Sequence, residues 1–320
     1  MTMKLLFLLS GEHPTLPCSE LSCLGEVTDS RPQVAVVVCG RASPVTRLAM
    51  SHAVMEYLGE CPADIRSFQQ LMKDLSLSAP GPFIARVKKI EGAEITEPTS
   101  SLERMMGGAI SGTVSLDHPS HEYRAICSGD RCYIGKLRCT IDRGSFDARN
   151  PGKRVFFHPG VMMPRIARSI VNLSFVAEGE RFLDPFCGTG GVLIEAGMVG
   201  AITTGGDMDV FMVRGTRRNI SGAGLFLADA GNLPVKDNSV DAVATDLPYG
   251  QSSSIMAEGL ESLYTQSLEE IRRVLKPGKR AVIVTHRDIR AIASPIMDIC
   301  EFHEQRVHKS LTRRIMVLSS

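Results

Sequence analysis

The stretch RFLDPFCGTGG (181–191) decides the reading of this chain. A short apolar run ends in an acid, turns at a proline, and enters a cluster of glycines. The segment VLIEAGMVG (192–200) follows with helical character, so the whole reads as strand, tight turn, helix. The pattern then repeats. AITTGGDMD (201–209) is a strand and turn, and VFMVRGTRRNISGAG (210–224) a helix. LFLADAGNLP (225–234) is a third strand and VDAVATDLPYG (240–250) a fourth. Leu260, Leu263, Tyr264, Leu268, Ile271 and Leu275 then recur at helical spacing, and Pro277-Gly278 stops that helix. KRAVIVTH (279–286) is a fifth strand, and FHEQRVHKSLTRRIMVLSS (302–320) reads as an antiparallel pair. Strands alternating with helices predict an α/β fold with a doubly wound, mainly parallel sheet.

Upstream the pattern changes. KLLFLLSG (4–11), AVVVCG (35–40), PFIARVKKI (82–90), YRAICSGD (123–130) and CYIGKLRCTI (132–141) read as strands. RLAMSHAVMEYLGE (47–60) and DIRSFQQLMKDL (64–75) read as helices. These elements predict small α+β units rather than a second doubly wound domain. SFDARNPGKRVFFHPG (145–160) is polar, basic and broken by proline and glycine, as a linker is. The 320 residues, 43% of them hydrophobic, suffice for two or three cores. The net charge of +1 excludes attraction of nucleic acid by overall charge, so any such attraction is local. Local charge is present: Arg131, Lys136, Arg138, Arg143, Arg149, Lys153 and Arg154 are opposed only by Asp142 and Asp147 over that stretch. The run is either a solvated face or a phosphate-binding footprint.

The apolar start LLFLL (5–9) is too short for a signal peptide, and no apolar run reaches membrane-span length. A cytoplasmic protein is expected. The nine cysteines form no CxxC pair. Cys127, Cys132 and Cys139 fit no standard zinc spacing, so no metal site is expected.

Four acids stand at four successive strand ends: Asp184, Asp207, Asp229 and Asp246. Any one of them alone is as readily a helix N-cap. In series they have another sense. A dinucleotide enzyme carries GxGxxG, whereas here Gly188-Thr189-Gly190-Gly191 follows Asp184. An acid before the loop repels a pyrophosphate but suits an ammonium. Asp207, after the second strand, is placed to accept from ribose hydroxyls. Asp229, after the third, is placed to accept from the adenine amine. Amino acid, ribose and adenine in series describe S-adenosylmethionine. At the fourth strand, Asp246-Leu247-Pro248-Tyr249 offers an acceptor for an amine N–H and a ring to stack on a base.

DPFCGTGG with DLPYG resembles the class I methyltransferases that modify exocyclic amines of nucleic-acid bases, whose general pattern at the second site is Asp/Asn-Pro-Pro-aromatic. HPGVMMPRIARSIVNLS (158–174), ADAGNLP (228–234) and TDLPYG (245–250) are similar more narrowly to the archaeal tRNA guanine-10 N2-methyltransferases. The resemblance implies a ferredoxin-like unit at 1–70, a THUMP-type RNA-binding unit at 71–145, a linker at 146–160 and a class I Rossmann-like methyltransferase domain with a seven-stranded sheet at 161–320. By that pattern Asp184, Gly188 and Gly190 hold the methionine end of the cofactor, Asp207 the ribose, and Asp229 with Ala230 the adenine, with Pro185, Phe186, Cys187, Met208 and Asp246 also in the cofactor site. Asp246, Leu247, Pro248 and Tyr249 form the base pocket, with the Asp246 carboxylate and Leu247 carbonyl as the amine acceptors. Leu247 departs from the proline of the wider pattern, which places the rigidity of the pocket on its surroundings, including the loop QSSSIM (251–256). The seven basic residues contact tRNA. The apolar third strand, Leu225 to Ala228, lies at a sheet edge and suits strand addition by a small zinc-binding activator. Two other readings remain open: an adenine-N6 or cytosine-N4 methyltransferase on DNA, and an RNA-binding protein with an inactive methyltransferase fold.

Overall fold

The computed structural model describes residues 3–40, 44–249, 257–308 and 311–320. The chain divides into two compact units, Met1–Asp142 and Arg143–Ser320.

The first unit comprises β1 (Met3–Leu9), α1 (Leu16–Glu20), β2 (Gly25–Arg31), β3 (Val34–Cys39), β4 (Ser51–Pro62), α2 (Ile65–Leu75), β5 (Phe83–Lys89), α3 (Thr99–Ala109), β6 (His121–Ser128) and β7 (Arg131–Thr140). Its seven strands form one sheet in the order β2-β3-β1-β4-β7-β6-β5. One element departs from its local sequence preference: RLAMSHAVMEYLGE, expected as a helix, is a short 3-10 turn at Val45–Arg47 followed by β4. Its Ala, Met, Leu and Glu favour helix locally. β4, however, is central and bonded on both sides, to β1 and to β7. Two hydrogen-bonded ladders outweigh a helix preference of a few tenths of a kcal/mol per residue. Cys127 and Cys132 face each other across β6 and β7, whereas Cys139 lies opposite Val54 and packs in a different cluster.

The second unit opens with two 3-10 turns, Gly144–Arg149 and Pro151–Lys153, so part of the stretch read as a linker is folded. It continues through α4 (Pro164–Leu173), β8 (Arg181–Asp184), α5 (Gly191–Met198), β9 (Ile202–Asp207), α6 (Val210–Asn219), β10 (Gly224–Leu227), β11 (Val240–Asp246), α7 (Ala257–Val274), β12 (Leu275–Thr285), α8 (Arg290–Ala293), β13 (Asp298–His308) and β14 (Leu311–Ser319). The order β10-β9-β8-β11-β12-β14-β13 is parallel except at β14, which runs antiparallel to both neighbours. This is the seven-stranded, mostly parallel, Rossmann-like sheet expected. β11 is buried along nearly its whole length because helices cover both faces of a parallel sheet. The α7 stripe Leu260, Tyr264, Leu268 and Ile271 packs into the same core as Val243, Ile283 and Met316. Helix α7 ends at Val274, and Leu275 already belongs to β12.

The strand order decides where chemistry sits. In such a sheet, ligands bind beyond the carboxyl ends of the strands where the order reverses. The reversal lies between β8 and β11, which end in Asp184 and Asp246.

Candidate active site

Asp184 is 1% exposed. Its Oδ1 accepts from the Thr245 hydroxyl at 2.6 Å and from the Phe186 N–H at 3.2 Å. Burial pushes its carboxyl up to about 7, against the pull of those two hydrogen bonds. Among the described residues no cation lies within ion-pair distance of it. The chain then needs two left-handed residues to turn into α5: Gly188 has φ of 49° and Gly190 of 81°. A Cβ at Gly190 stands 2.8 Å from the Thr216 methyl, so bulk as well as φ demands glycine there.

The loop is held from α6. The Thr216 hydroxyl donates to the Gly188 carbonyl at 2.6 Å. The Asn219 amide donates to the Thr189 carbonyl at 2.9 Å and to the Phe156 carbonyl at 2.8 Å, and accepts from the Phe156 N–H. Asp207 Oδ2 accepts from the Gly188 N–H at 3.0 Å, which ties the end of β9 to the same loop. Burial raises the Asp207 carboxyl as well.

Asp246 lies at the end of β11, with Tyr249 bonded to it. The Tyr249 hydroxyl donates to Asp246 Oδ1 at 2.8 Å, and its ring centroid lies 4.8 Å from that of His286. Burial raises the Asp246 carboxyl to about 6, with the Arg313 charge and the Tyr249 hydrogen bond opposing the rise. Leu247 has a clear structural reason. Its side chain is 1% exposed in the core, and its N–H donates to the Val284 carbonyl at 2.8 Å. A proline there lacks that donor. The turn is pinned by another route, since the Tyr264 hydroxyl of α7 donates to the Pro248 carbonyl at 2.7 Å. The loop QSSSIM lies outside the described residues.

Asp184, Phe186, Cys187, Gly188 and Asp246 line one cleft, together with Thr189, Val192, Met212 and the segment His158–Met162. Asp207 joins through Gly188. Pro185, Gly190, Met208, Asp229, Ala230, Leu247, Pro248 and Tyr249 are not in its lining: Met208 is 70% exposed, Ala230 is buried, and Asp229 accepts from the Gly231 N–H at 2.9 Å. The fit to S-adenosylmethionine rests on a buried carboxylate without a cation partner, beside a glycine loop that leaves room for close approach. Asp184 would take the ammonium and Asp207 the ribose hydroxyls. Thr245, Thr216, Asn219, Tyr264, His286 and Arg313 were not legible as site residues. Each acts across the sheet or from a neighbouring element, and apart from Thr245, the first residue of TDLPYG, no local motif marks it.

The seven basic residues have different fates. In the first unit Arg131 pairs with Glu60 at 3.3 Å, the Lys136 ammonium lies 5.9 Å from the Tyr123 ring centroid, and exposed Arg138 donates to the Met3 sulfur. In the second unit Lys153 is exposed and Arg143 is half-buried. Arg149 turns inward: its guanidinium donates to both oxygens of Glu195, at 2.7 and 3.3 Å. Glu195 is fully buried in α5 and also pairs with Arg168 at 2.8 Å. Arg154 donates to the Arg149 carbonyl at 3.1 Å and approaches the Thr189 hydroxyl at 3.4 Å.

Among the described residues no helix is long and apolar enough to cross a membrane. Residues 151–315 match the family described as RMKL-like, methyltransferase domain. The chain is 35% identical to the tRNA (guanine(10)-N2)-dimethyltransferase of Methanothermobacter thermautotrophicus, over 99% of each chain. It is 29% identical to the protein of the same name from Pyrococcus abyssi, over 97% of this chain and 98% of that one. TrmN from Thermus thermophilus shares the fold, with a TM-score of 0.51 over 99% of both chains at 20% identity. With the cleft, the sheet order and full-length similarity in agreement, the chain belongs to the tRNA (guanine(10)-N2)-dimethyltransferase family.

Proposed function

We propose that this protein transfers methyl groups from S-adenosylmethionine to the exocyclic N2 amine of the guanosine at position 10 of tRNA, once and then again on the same nitrogen. The observation that carries the reading is the pair Asp184 and Asp246, from adjacent strands, lining one cleft. One acid suits the amino-acid end of the cofactor and the other an amine beside it. Relatives named for dimethylation at guanine 10 support the position and the two rounds.

The cofactor supplies an electrophilic methyl on a sulfonium. The work of the chain is positioning, which contributes much of the barrier reduction in such a transfer. The guanine N2 lone pair is delocalised into the ring, so nitrogen attacks only when its hydrogens are held by acceptors. Asp246 and the Leu247 carbonyl take those N–H groups. Asp246 then takes the proton that the amine gives up, a role that suits a carboxyl raised to about 6. Tyr249 covers the base, which leaves its helix to reach the cleft at a cost of a few kcal/mol.

Residues 1–145 serve tRNA capture, with 1–70 as the ferredoxin-like part and 71–145 as the THUMP-type part. Exposed Arg138 and Lys153 contact phosphate, whereas Arg149 is structural. Charge reversal at Arg138 and Lys153 therefore raises the Michaelis constant for tRNA and flattens the salt dependence of binding by about one log–log unit per contact. Filter binding across a salt series reads this. Arg149→Ala instead lowers thermal stability, because it leaves a buried carboxylate with one partner fewer. An unchanged salt slope in the reversed variants counts against the assignment.

Among the described residues β10 pairs only with β9, and Leu227 is 56% exposed at that edge. A small zinc-binding activator adds a strand there, in a cytoplasmic complex. One experiment tests both points. tRNA is incubated with the isolated chain and cofactor, digested, and its nucleosides weighed. N2-methyl- and N2,N2-dimethylguanosine are expected. Methylated adenine or cytosine, or no product even with a cell extract added, overturns the reading. Full activity of the isolated monomer removes the activator.

A further inference from the structure

Arg313 lies on β14 and is 6% exposed, yet among the described residues no carboxylate stands within ion-pair distance of it. A buried guanidinium without an ion pair is costly, and it calls for a reason. Its sequence neighbour has none of this difficulty. Arg314 points to the other face of the strand and pairs with Glu304 at 3.0 Å. Sheet register explains where Arg313 goes. Asp246 lies opposite Val284 of β12, and Val284 lies opposite Ile315 of β14. Because β14 runs antiparallel, Arg313 falls beyond the Thr285↔Arg314 pair, at the carboxyl end of β12 where the cleft opens.

There its Nε–H donates to the Tyr249 hydroxyl oxygen at 3.3 Å, and that hydroxyl donates to Asp246 Oδ1 at 2.8 Å. The phenol is thus an acceptor from a cation and a donor to an anion. Each bond polarises the other. We propose that Arg313 is a positioning residue for methyl transfer: through the Tyr249 hydroxyl it orients the ring over the base, and its charge keeps Asp246 ionised as the acceptor of the guanine amine. The inference rests on the assignment of Asp246 as that acceptor.

The surroundings single out this cation. The groups facing Asp246 are Tyr249 on the following turn, Asp184 at the end of β8 and Tyr264 from α7, and His286 beyond β12 packs against the Tyr249 ring. Asp184 opposes ionisation of Asp246 rather than aiding it. Burial and the nearby Arg287 and Arg314 hold His286 below its usual range, so it is neutral at physiological pH. Arg314 is engaged with Glu304 and with the His286 carbonyl. Arg313 is the cation whose charge reaches Asp246.

The test is a pH profile of single-turnover methylation of a tRNA transcript, with S-adenosylmethionine affinity measured alongside. In Arg313→Gln the acid limb, near pH 6 in the wild type, moves upward by about one pH unit, since a charge at this range shifts a carboxyl by about 1–3 units. Cofactor affinity stays unchanged, and Arg313→Lys, which keeps the charge, leaves the limb close to its wild-type position. Arg313→Met, apolar and suited to a buried strand position, gives the same shift and reads the effect if the Gln variant folds poorly. A purely structural arginine lowers the rate equally at every pH, and an unmoved limb in the Gln and Met variants overturns the proposal. Asp246→Asn separates the two layers. If the wild type has no acid limb that this variant removes, the acceptor assignment fails; if it has one and only Arg313 leaves it unmoved, the inference alone fails.

Discussion

Asp246→Ala lowers the methylation rate by about 10²- to 10³-fold or more while leaving S-adenosylmethionine binding near the wild-type value. The size follows from the chemistry. The guanine N2 amine is not basic, so a transfer without an acceptor begins with a lone pair still shared with the ring. The spared cofactor affinity follows from the geometry, since the carboxylate assigned to the ammonium is Asp184, on a different strand. Calorimetric titration of the cofactor together with a tritium-transfer assay reads both quantities. Retained activity removes Asp246 from the role. The wild-type profile carries a matching sign: protonation of Asp246 destroys an acceptor, so the rate falls as pH drops through about 6.

Asp184→Asn weakens S-adenosylmethionine binding by about two orders of magnitude, the loss expected when a buried charge pair with the ligand ammonium is replaced by a neutral contact. In the empty protein burial raises this carboxyl to about 7. A raised carboxyl favours the folded state below its unfolded value of 3.8, and that contribution is lost as pH rises through about 7. An ammonium ligand reverses the preference, because it needs the carboxylate. Cofactor binding therefore releases a proton at mildly acidic pH, and affinity climbs with pH to a plateau above about 7, by at most about tenfold per unit. Calorimetry in buffers of different ionisation enthalpy measures the released proton. An affinity flat across this range, or rising towards acid, contradicts the assignment.

The contrast between these two acids and their supports shows what a sequence carries. Asp184, the glycine loop and Asp246 were legible because each sits in a contiguous run where strand, turn and helix obey local rules. The strand at Leu225 was legible for the same reason, whereas its place at the sheet edge came from the resemblance. β4 was not, because its local preference is helical and its pairing partners lie far away in the chain. Arg149 was read as a surface cation, since the linear run of basic residues says nothing of Glu195, which reaches it only after α5 packs.

What the sequence by itself determined is the parallel alternation of strands and helices and the acids at four strand ends. Periodicity and turn chemistry are properties of neighbours in the chain. Only the tertiary structure decided which groups surround those acids. Thr245 bonds to Asp184, Tyr264 pins Pro248, and Arg313 reaches Tyr249 from a strand 64 residues away. Burial raises the two carboxyls, and burial is a sum over all the elements packed around a group, which no local stretch contains.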